Sequence, residues 1–346
     1  MAVVGHWDTL AEAAKLGTSE LLAGVVQTVI DTGHLVPKLP VKQINSKTLL
    51  YDREDSWSAE SGAGFYDIRE QIPWSSDVTY TQVEAQLYRI ARQDPIDLFV
   101  QETYNNVNDY RAMMIQQLAK RMTRFLEHKI IYGDTTYTSS KEFDGLHAIC
   151  EATNTGDLDK DQGGALSLMN VRKMLDAMHV DDSEDGRSNV FLLVPRTVLR
   201  RIDQGYQEAG FVSTSATVVP YTISYGKNDA GARQMFFDGV PMVPSSFLVA
   251  EDDGTGKGSN VRGRSSSAAT YSIFGIRAGQ TEDGGLALLF GGAGMDTGTL
   301  FKHKTFDVLE NYDSGGERLV SYVGLTLGAG HSLGRIIDIT DVAVVL

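Results

Sequence analysis

DPIDLFVQETYNNVNDYRAMMIQQLAKRMTRFLEHKIIYG, residues 94–133, decides how the rest of the chain is read. Asp94 carries a carboxylate that can accept the free amides of a first helical turn, and Pro95 follows where a missing N–H costs nothing. Apolar or near-apolar side chains then recur at Ile96, Val100, Thr103, Val107, Tyr110, Met114, Leu118, Met122, Leu126 and Ile130, always three or four apart. That period predicts one helix with a single buried stripe, stopped at Gly133. Its length would be roughly 55–60 Å, against ~11–12 residues for an average helix. A coiled coil wants sustained Leu/Ile heptads, whereas this stripe contains Thr103, Tyr110 and methionines. Asn105, Asn106 and Asn108 are poor helix formers at mid-span and mark where a bend or break would fall. A long spine lying across a sheet is the reading that remains.

Composition bounds the class. The chain has 346 residues, 42% of them hydrophobic, enough for about two domains with a proper core. Lys plus Arg number 31 against 45 Asp plus Glu, a net charge of −14. Generic polyanion binding is disfavoured unless the cations are segregated, and the sequence holds no basic run. The N-terminal residues lack the pattern of a signal peptide, no apolar run approaches a membrane span, and folding in a cytoplasm is expected. A single cysteine, Cys150, excludes an internal disulfide framework and a cysteine-based zinc cage, and reads as a small core residue.

Outward from the spine, the grammar changes. Thr9 and Glu12 have capping-box spacing for a short helix, and Leu21, Leu22, Val25, Val26, Val29 and Ile30 give a second with a broad apolar face that another subunit could cover. Thr48–Asp52 and Val78–Ile90 read as strands bracketing a long tip, about 54–76. That tip is rich in Ser, Gly and Ala yet holds Trp57, Phe65, Tyr66 and Trp74, and aromatics on an outreaching hairpin point to contact with a neighbour. Beyond the spine come the segment Glu142-Phe143-Asp144-Gly145-Leu146 and a Gly/Asp-rich boundary from Thr153 to Gly164. A helix over 168–180, a buried strand over 189–194, a helix over 195–207 and two short strands joined at Asp238-Gly239 follow. A Gly/Ser loop spans 251–269. Strands are expected at 271–277, 286–290, 299–310, 318–327 and 335–345.

Motifs that imitate active sites fail on context. Gly330-His331-Ser332-Leu333-Gly334 matches the nucleophile elbow of serine hydrolases, but no His follows it to complete a triad, and Ile336, Ile337, Ile339 and Val342 read as strand rather than helix. It is read as a turn between two strands. Asp157, Asp159 and Asp161 open like a calcium loop, yet Gln162 stands where the sharp turn needs Gly and Leu168 where the bidentate Glu belongs. A solvated boundary loop is expected instead. Gly256-Lys257-Gly258 lacks the flanking residues of a phosphate loop. Seven histidines show no pair at metal-ligand spacing on a helix. No catalytic residue, cofactor or metal site is assigned.

In its order of elements the chain resembles the major capsid proteins of tailed double-stranded DNA bacteriophages, the Hong Kong ninety-seven phage fold. Phe143-Asp144-Gly145-Leu146 is similar to the Phe-x-Gly-Leu turn common there, and Tyr271-Ser272-Ile273-Phe274-Gly275 resembles a strand of its A-domain. The resemblance implies an α+β capsid fold: an N-terminal arm (1–40), an E-loop hairpin (41–92), a P-domain with the spine helix (93–155), a mixed α/β A-domain (156–294), and P-domain return strands (295–346). It implies a shell protein that self-assembles into an icosahedral head around the phage genome, with Trp57, Phe65, Tyr66 and Trp74 as interface residues of the E-loop tip. Its implied partners are its own copies in hexameric and pentameric capsomers, a separate scaffold protein, a portal, decoration proteins, and DNA packaged without sequence-specific binding. Relatives that crosslink join an E-loop lysine to a P-domain asparagine. Lys42, Lys47 and Asn311 stand near such positions, but no covalent shell is expected. An encapsulin-type nanocompartment of the same fold is the alternative, and a serine hydrolase using Ser332 the remote one.

Overall fold

The computed structural model describes residues 35–56, 64–71, 79–104, 110–136, 141–180, 189–208, 223–227, 233–251, 269–291, 301–306 and 313–345. The two helices expected before Gly33, together with Trp57, Trp74, Asn311 and Gly256-Lys257-Gly258, lie outside these residues. In chain order the strands are β1 (Val41–Ile44), β2 (Thr48–Ser56), β3 (Thr79–Gln86), β4 (Tyr88–Asp97), β5 (Asp159–Gly164), β6 (Val190–Pro195), β7 (Ile223–Lys227), β8 (Arg233–Phe237), β9 (Val240–Ser245), β10 (Tyr271–Arg277), β11 (Leu286–Gly291), β12 (Lys302–Phe306), β13 (Ser314–Leu327) and β14 (Leu333–Ile339). The helices are α1 (Leu98–Tyr104), α2 (Tyr110–Tyr132), α3 (Leu146–Thr153), α4 (Leu168–Ala177) and α5 (Arg196–Glu208).

The quoted stretch is not one helix. Asp94 and Pro95 lie in β4, and α1 and α2 stand on either side of 105–109, the Asn-rich span outside the described residues. Strand pairing overrides the helical start signal: β4 runs antiparallel to β13 with Pro95 opposite Gly316, and on an edge strand proline's missing N–H leaves no ladder bond unmade. Alternation was hidden because Arg92 and Asp94 occupy spine-facing positions, where Asp94 meets Arg92 at 3.2 Å and Arg121 of α2 at 3.5 Å. Ile96 is buried as a strand residue, and Thr103 is exposed. The spine proper is the 23-residue α2, about 35 Å long. Over it the expected stripe holds, with Leu118, Met122, Leu126 and Ile130 all buried.

Among the described residues, the strands form a five-stranded sheet, a seven-stranded sheet and a two-stranded hairpin. The first orders β1-β11-β13-β12, with β4 along the other edge of β13. The second orders β5-β14-β10-β6-β9-β8-β7. Alternation along β6 divides two cores: Phe191 and Leu193 face the spine-side cluster with Leu126, Ile130, Leu146 and Phe274, while Val190, Leu192 and Val194 face α4 and α5 through Met174 and Val198. The hairpin signal at Asp238-Gly239 is observed as the β8–β9 turn, both residues with positive φ.

Two further expectations need correction. The region of Asp157, Asp159 and Asp161 is not all loop, because residues 159–164 form β5, paired parallel with β14. The single strand over 78–90 is two, interrupted at Leu87, whose N–H donates to the carbonyl of Lys47 (2.8 Å). Of the C-terminal strands, β14 pairs in the seven-stranded sheet with β10 and β5, and β13 pairs in the five-stranded one. The turn after the spine takes its composition from close packing. A β-carbon on Gly145 would lie 2.6 Å from the Ile130 carbonyl oxygen, Phe143 and Leu146 enter the core, and Asp144 accepts from the N–H and hydroxyl of Thr135, both at 2.9 Å. No described helix is long and apolar enough to cross a membrane.

Candidate assembly surface

The β2–β3 hairpin is tied down at its root. At the root Ile44, Ala85 and Leu289 form a small core with Leu49 and Leu87, and the Tyr51 hydroxyl donates to the Leu327 carbonyl at 2.6 Å. Gly324 lies beneath the strand, where a β-carbon would come within 2.3 Å of the Gln86 carbonyl oxygen. Leu50 on the root's other face and Tyr80 farther out on β3 are exposed, as are Phe65, Tyr66 and Ile68 in the described part of the tip. Ile68 was passed over by a reading that looked for aromatics, though it is 90% exposed. Apolar side chains left in water on a protruding ribbon mark a contact surface. A groove of about 290 Å³ opens at the root between the hairpin, α3 and β13, lined by Tyr51, Arg53, Glu84, Gln86, Asp144 and Thr153 among others.

A second surface was invisible as a sequence run. Directly opposed residues of an antiparallel pair share a face, and in β13 Leu319 packs on Leu118 and Met122 of the spine while Arg318, Val320 and Tyr322 point the other way. Lys304 opposes Arg318, Lys302 opposes Val320, and Arg89 opposes Tyr322, so four cations share the spine-averted face, with Asp97 opposite Ser314 at its end. Arg318 lies over the Phe306 ring at 4.6 Å and bonds Gln93. Like charges directly opposed cost stability, so Lys304 and Arg318 gain from an acidic partner. On the spine side the charge is balanced. Glu317, buried, accepts from Arg111, His303 and, at 2.9 Å, Thr305. Burial alone would raise its pKa, but those hydrogen bonds outweigh it and hold it below the ordinary glutamate value.

The motif that imitates a nucleophile elbow lies in largely buried, packed surroundings. Ser332 is buried in the 3-10 turn Gly330–Ser332 between β13 and β14, as expected of a turn between strands, and its Oγ meets no hydrogen-bond partner. The last glycine of the motif serves packing: Gly334 opposes Gly275, and a β-carbon on Gly334 would lie 2.7 Å from Met174 Cγ of α4. Cys150 is buried, and burial first of all pushes its thiol up to about 12. Among the described residues no group of three or more His, Cys, Asp or Glu could hold a metal ion.

One polar cluster escaped sequence reasoning. Glu251, wholly buried, accepts from Tyr132 Oη (3.1 Å) and Ser272 Oγ (2.8 Å) and meets His147 Nε2 at 3.0 Å. Arg335 donates to the His147 carbonyl at 3.0 Å and forks onto both oxygens of Asp159, with Nη2 to Oδ2 at 2.8 Å. Its members come from α2, α3, β5, β10, β14 and the segment after β9, from Tyr132 to Arg335 in the sequence, so no spacing could reveal it. Largely buried and hydrogen-bonded among themselves, these side chains can hold the spine and α3 against the seven-stranded sheet.

Comparison with known proteins adds the wider frame. No family model matches the chain, and no curated protein matches by sequence. Solved structures do. An encapsulin from Synechococcus elongatus PCC 7942, solved as the holo-SrpI complex, superposes with a TM-score of 0.66 at 12% identity, covering 97% of each chain. The capsid of a native GTA particle gives 0.61 at 11% identity, over 93% of this chain and 94% of that one. The mature capsid of bacteriophage PhiM1 gives 0.56 at 12%, over 97% and 99%. At such identities what is shared is the fold, and the chain has the α+β fold of these phage capsid and encapsulin shells, as its order of elements implied.

Proposed function

We propose that the chain is a structural major capsid protein that self-assembles into the icosahedral head shell enclosing a phage genome. The observation that carries this reading is the reach of the structural likeness, which takes in 97% of the chain and 99% of a mature phage capsid subunit. Two surface features support it. Leu50, Phe65, Ile68 and Tyr80 of the hairpin are exposed apolar side chains. Residues 52–84 of that hairpin hold eight carboxylates against Arg53 and Arg69, a net of −6, which complements the four cations on the spine-averted sheet face. Trp57, Phe65, Tyr66 and Trp74 are then interface anchors seated on an adjacent subunit. Many modest contacts of this kind give a closed lattice its stability. The five segments 1–40, 41–92, 93–155, 156–294 and 295–346 act as arm, E-loop, P-domain, A-domain and P-domain return, with capsomers of six and five copies, and with scaffold, portal, decoration proteins and packaged DNA as partners.

A second reading is an encapsulin-type nanocompartment, favoured by the 0.66 TM-score to an encapsulin. Shell contents separate the two: nucleic acid supports a head, and a protein cargo supports a compartment. The experiment on the shared claim deletes residues 56–74 and joins β2 to β3 by a short turn. Loop tips tolerate excision when few core contacts depend on them, so circular dichroism and cooperative melting should be normal while closed shells disappear. Normal shells from the truncated chain would overturn the assignment.

A further inference from the structure

One of the chain's crossings between the two sheets is a short strap. β13 ends in the five-stranded sheet at Leu327 and β14 begins in the seven-stranded sheet at Leu333, leaving residues 328–332 to make the crossing. His331 sits in that strap. Its ring meets the ring of His179 edge-on, with centroids 5.7 Å apart and planes at 78°. His179 follows the end of α4 at φ 51°, the left-handed position that helices usually give to Gly or Asn and that strains a side chain with a β-carbon. Strain of this sort marks a residue placed for its side chain. Arg277, the last residue of β10, completes the cluster. Its Nη2 donates to the carbonyls of Met178 (3.0 Å) and His179 (3.1 Å), and its buried Nε has no partner.

The charged groups acting on His331 are therefore Arg277 from β10 and His179 from the end of α4. Neutral imidazoles pack against one another as aromatic rings do, whereas a proton on His331 would face the fixed guanidinium of Arg277. Burial, then Arg277, then His179 hold the His331 pKa below the ordinary histidine value. A proton thus binds the opened strap more tightly than the closed one.

We infer that the His179–His331 contact is an acid-released catch on the strap between β13 and β14, closed while His331 is neutral and opened when it gains a proton. Because the folded pKa is depressed, the catch is complete above about 6.5 and weakens as pH falls below it. One proton of this kind raises the open population up to about tenfold at pH 5.5. The inference rests on the strap and not on the shell reading.

Hydrogen exchange read by mass spectrometry on the full chain tests it, with rates corrected for intrinsic pH dependence and compared at pH 7.5 and 5.5. In the parent, peptides covering 324–334 and 176–180 should open up to about tenfold more at pH 5.5, and in His331→Gln, which cannot titrate, they should not. An equal response in His331→Gln, or none in the parent, overturns the catch. Should His331→Gln fail to fold, His179→Asn keeps a residue that tolerates the left-handed turn. A reduced pH response in that variant supports the catch, and a full one overturns it.

Discussion

Arg335→Leu is the sharpest test of how the spine is held to the seven-stranded sheet. The guanidinium is 5% exposed, forks onto Asp159, and donates to the His147 carbonyl beside the buried Glu251. Removing it leaves the Asp159 carboxylate and that carbonyl without their donor. Breaking a buried pair by deleting one partner costs about 3–5 kcal/mol. At roughly 2.1 cal/mol/K per residue, a cooperative unit of 346 residues has a melting entropy of about 0.7 kcal/mol/K, so the loss should lower Tm by about 4–7 °C. Arg172→Ala is the control, because its 3.1 Å pair with Asp238 is 46% and 32% exposed and should be worth less than about 1 kcal/mol. The double variant Arg335→Leu/Asp159→Leu should recover much of the loss, since an apolar pair can replace a buried ionic one. Urea unfolding followed by circular dichroism, on protein kept dilute enough not to assemble, measures all three. If Arg335→Leu stays within about 1 kcal/mol of the parent, or Arg172→Ala costs as much, the cluster does not hold the seam.

Gly334→Val should destabilise by about 1–3 kcal/mol through overpacking on Met174, while Ser332→Ala should leave stability and assembly unchanged because the Oγ has no partner to lose; loss of an esterase activity present in the parent would reverse that reading. Lys302→Glu/Lys304→Glu should leave circular dichroism unaltered and abolish or strongly retard assembly, and full-rate assembly at low salt would show that the basic face meets no acidic partner. With its thiol pushed up to about 12 and buried, Cys150 holds almost no thiolate at pH 8, so maleimide should label it only after unfolding; rapid labelling of the native chain would refute its burial.

What the sequence disclosed and what it concealed divide along physical lines. Stripe periodicity found Leu118 to Ile130, and the Asp238-Gly239 turn was written in its two residues, because both depend on neighbours close in the chain. Asp94-Pro95 misled for the same reason, since a local cap signal competes with the pairing of β4 on β13, which lies over two hundred residues away. The basic face is a product of strand alternation and pairing, in which Lys302, Lys304, Arg318 and Arg89 meet from three strands without forming a run. Phe143-Asp144-Gly145-Leu146 was recognisable as a motif, but its physical meaning, two core side chains around a glycine pressed onto the end of the spine, required the coordinates. The Glu251 cluster was wholly illegible, since each of its members is unremarkable where it stands.

The central claim is self-assembly, and electron microscopy of the purified chain, alongside light scattering across concentration and salt, tests it most directly. The account predicts capsomers and closed icosahedral shells in which each hairpin tip lies on a neighbouring subunit. A monodisperse monomer at every concentration and ionic strength would contradict it.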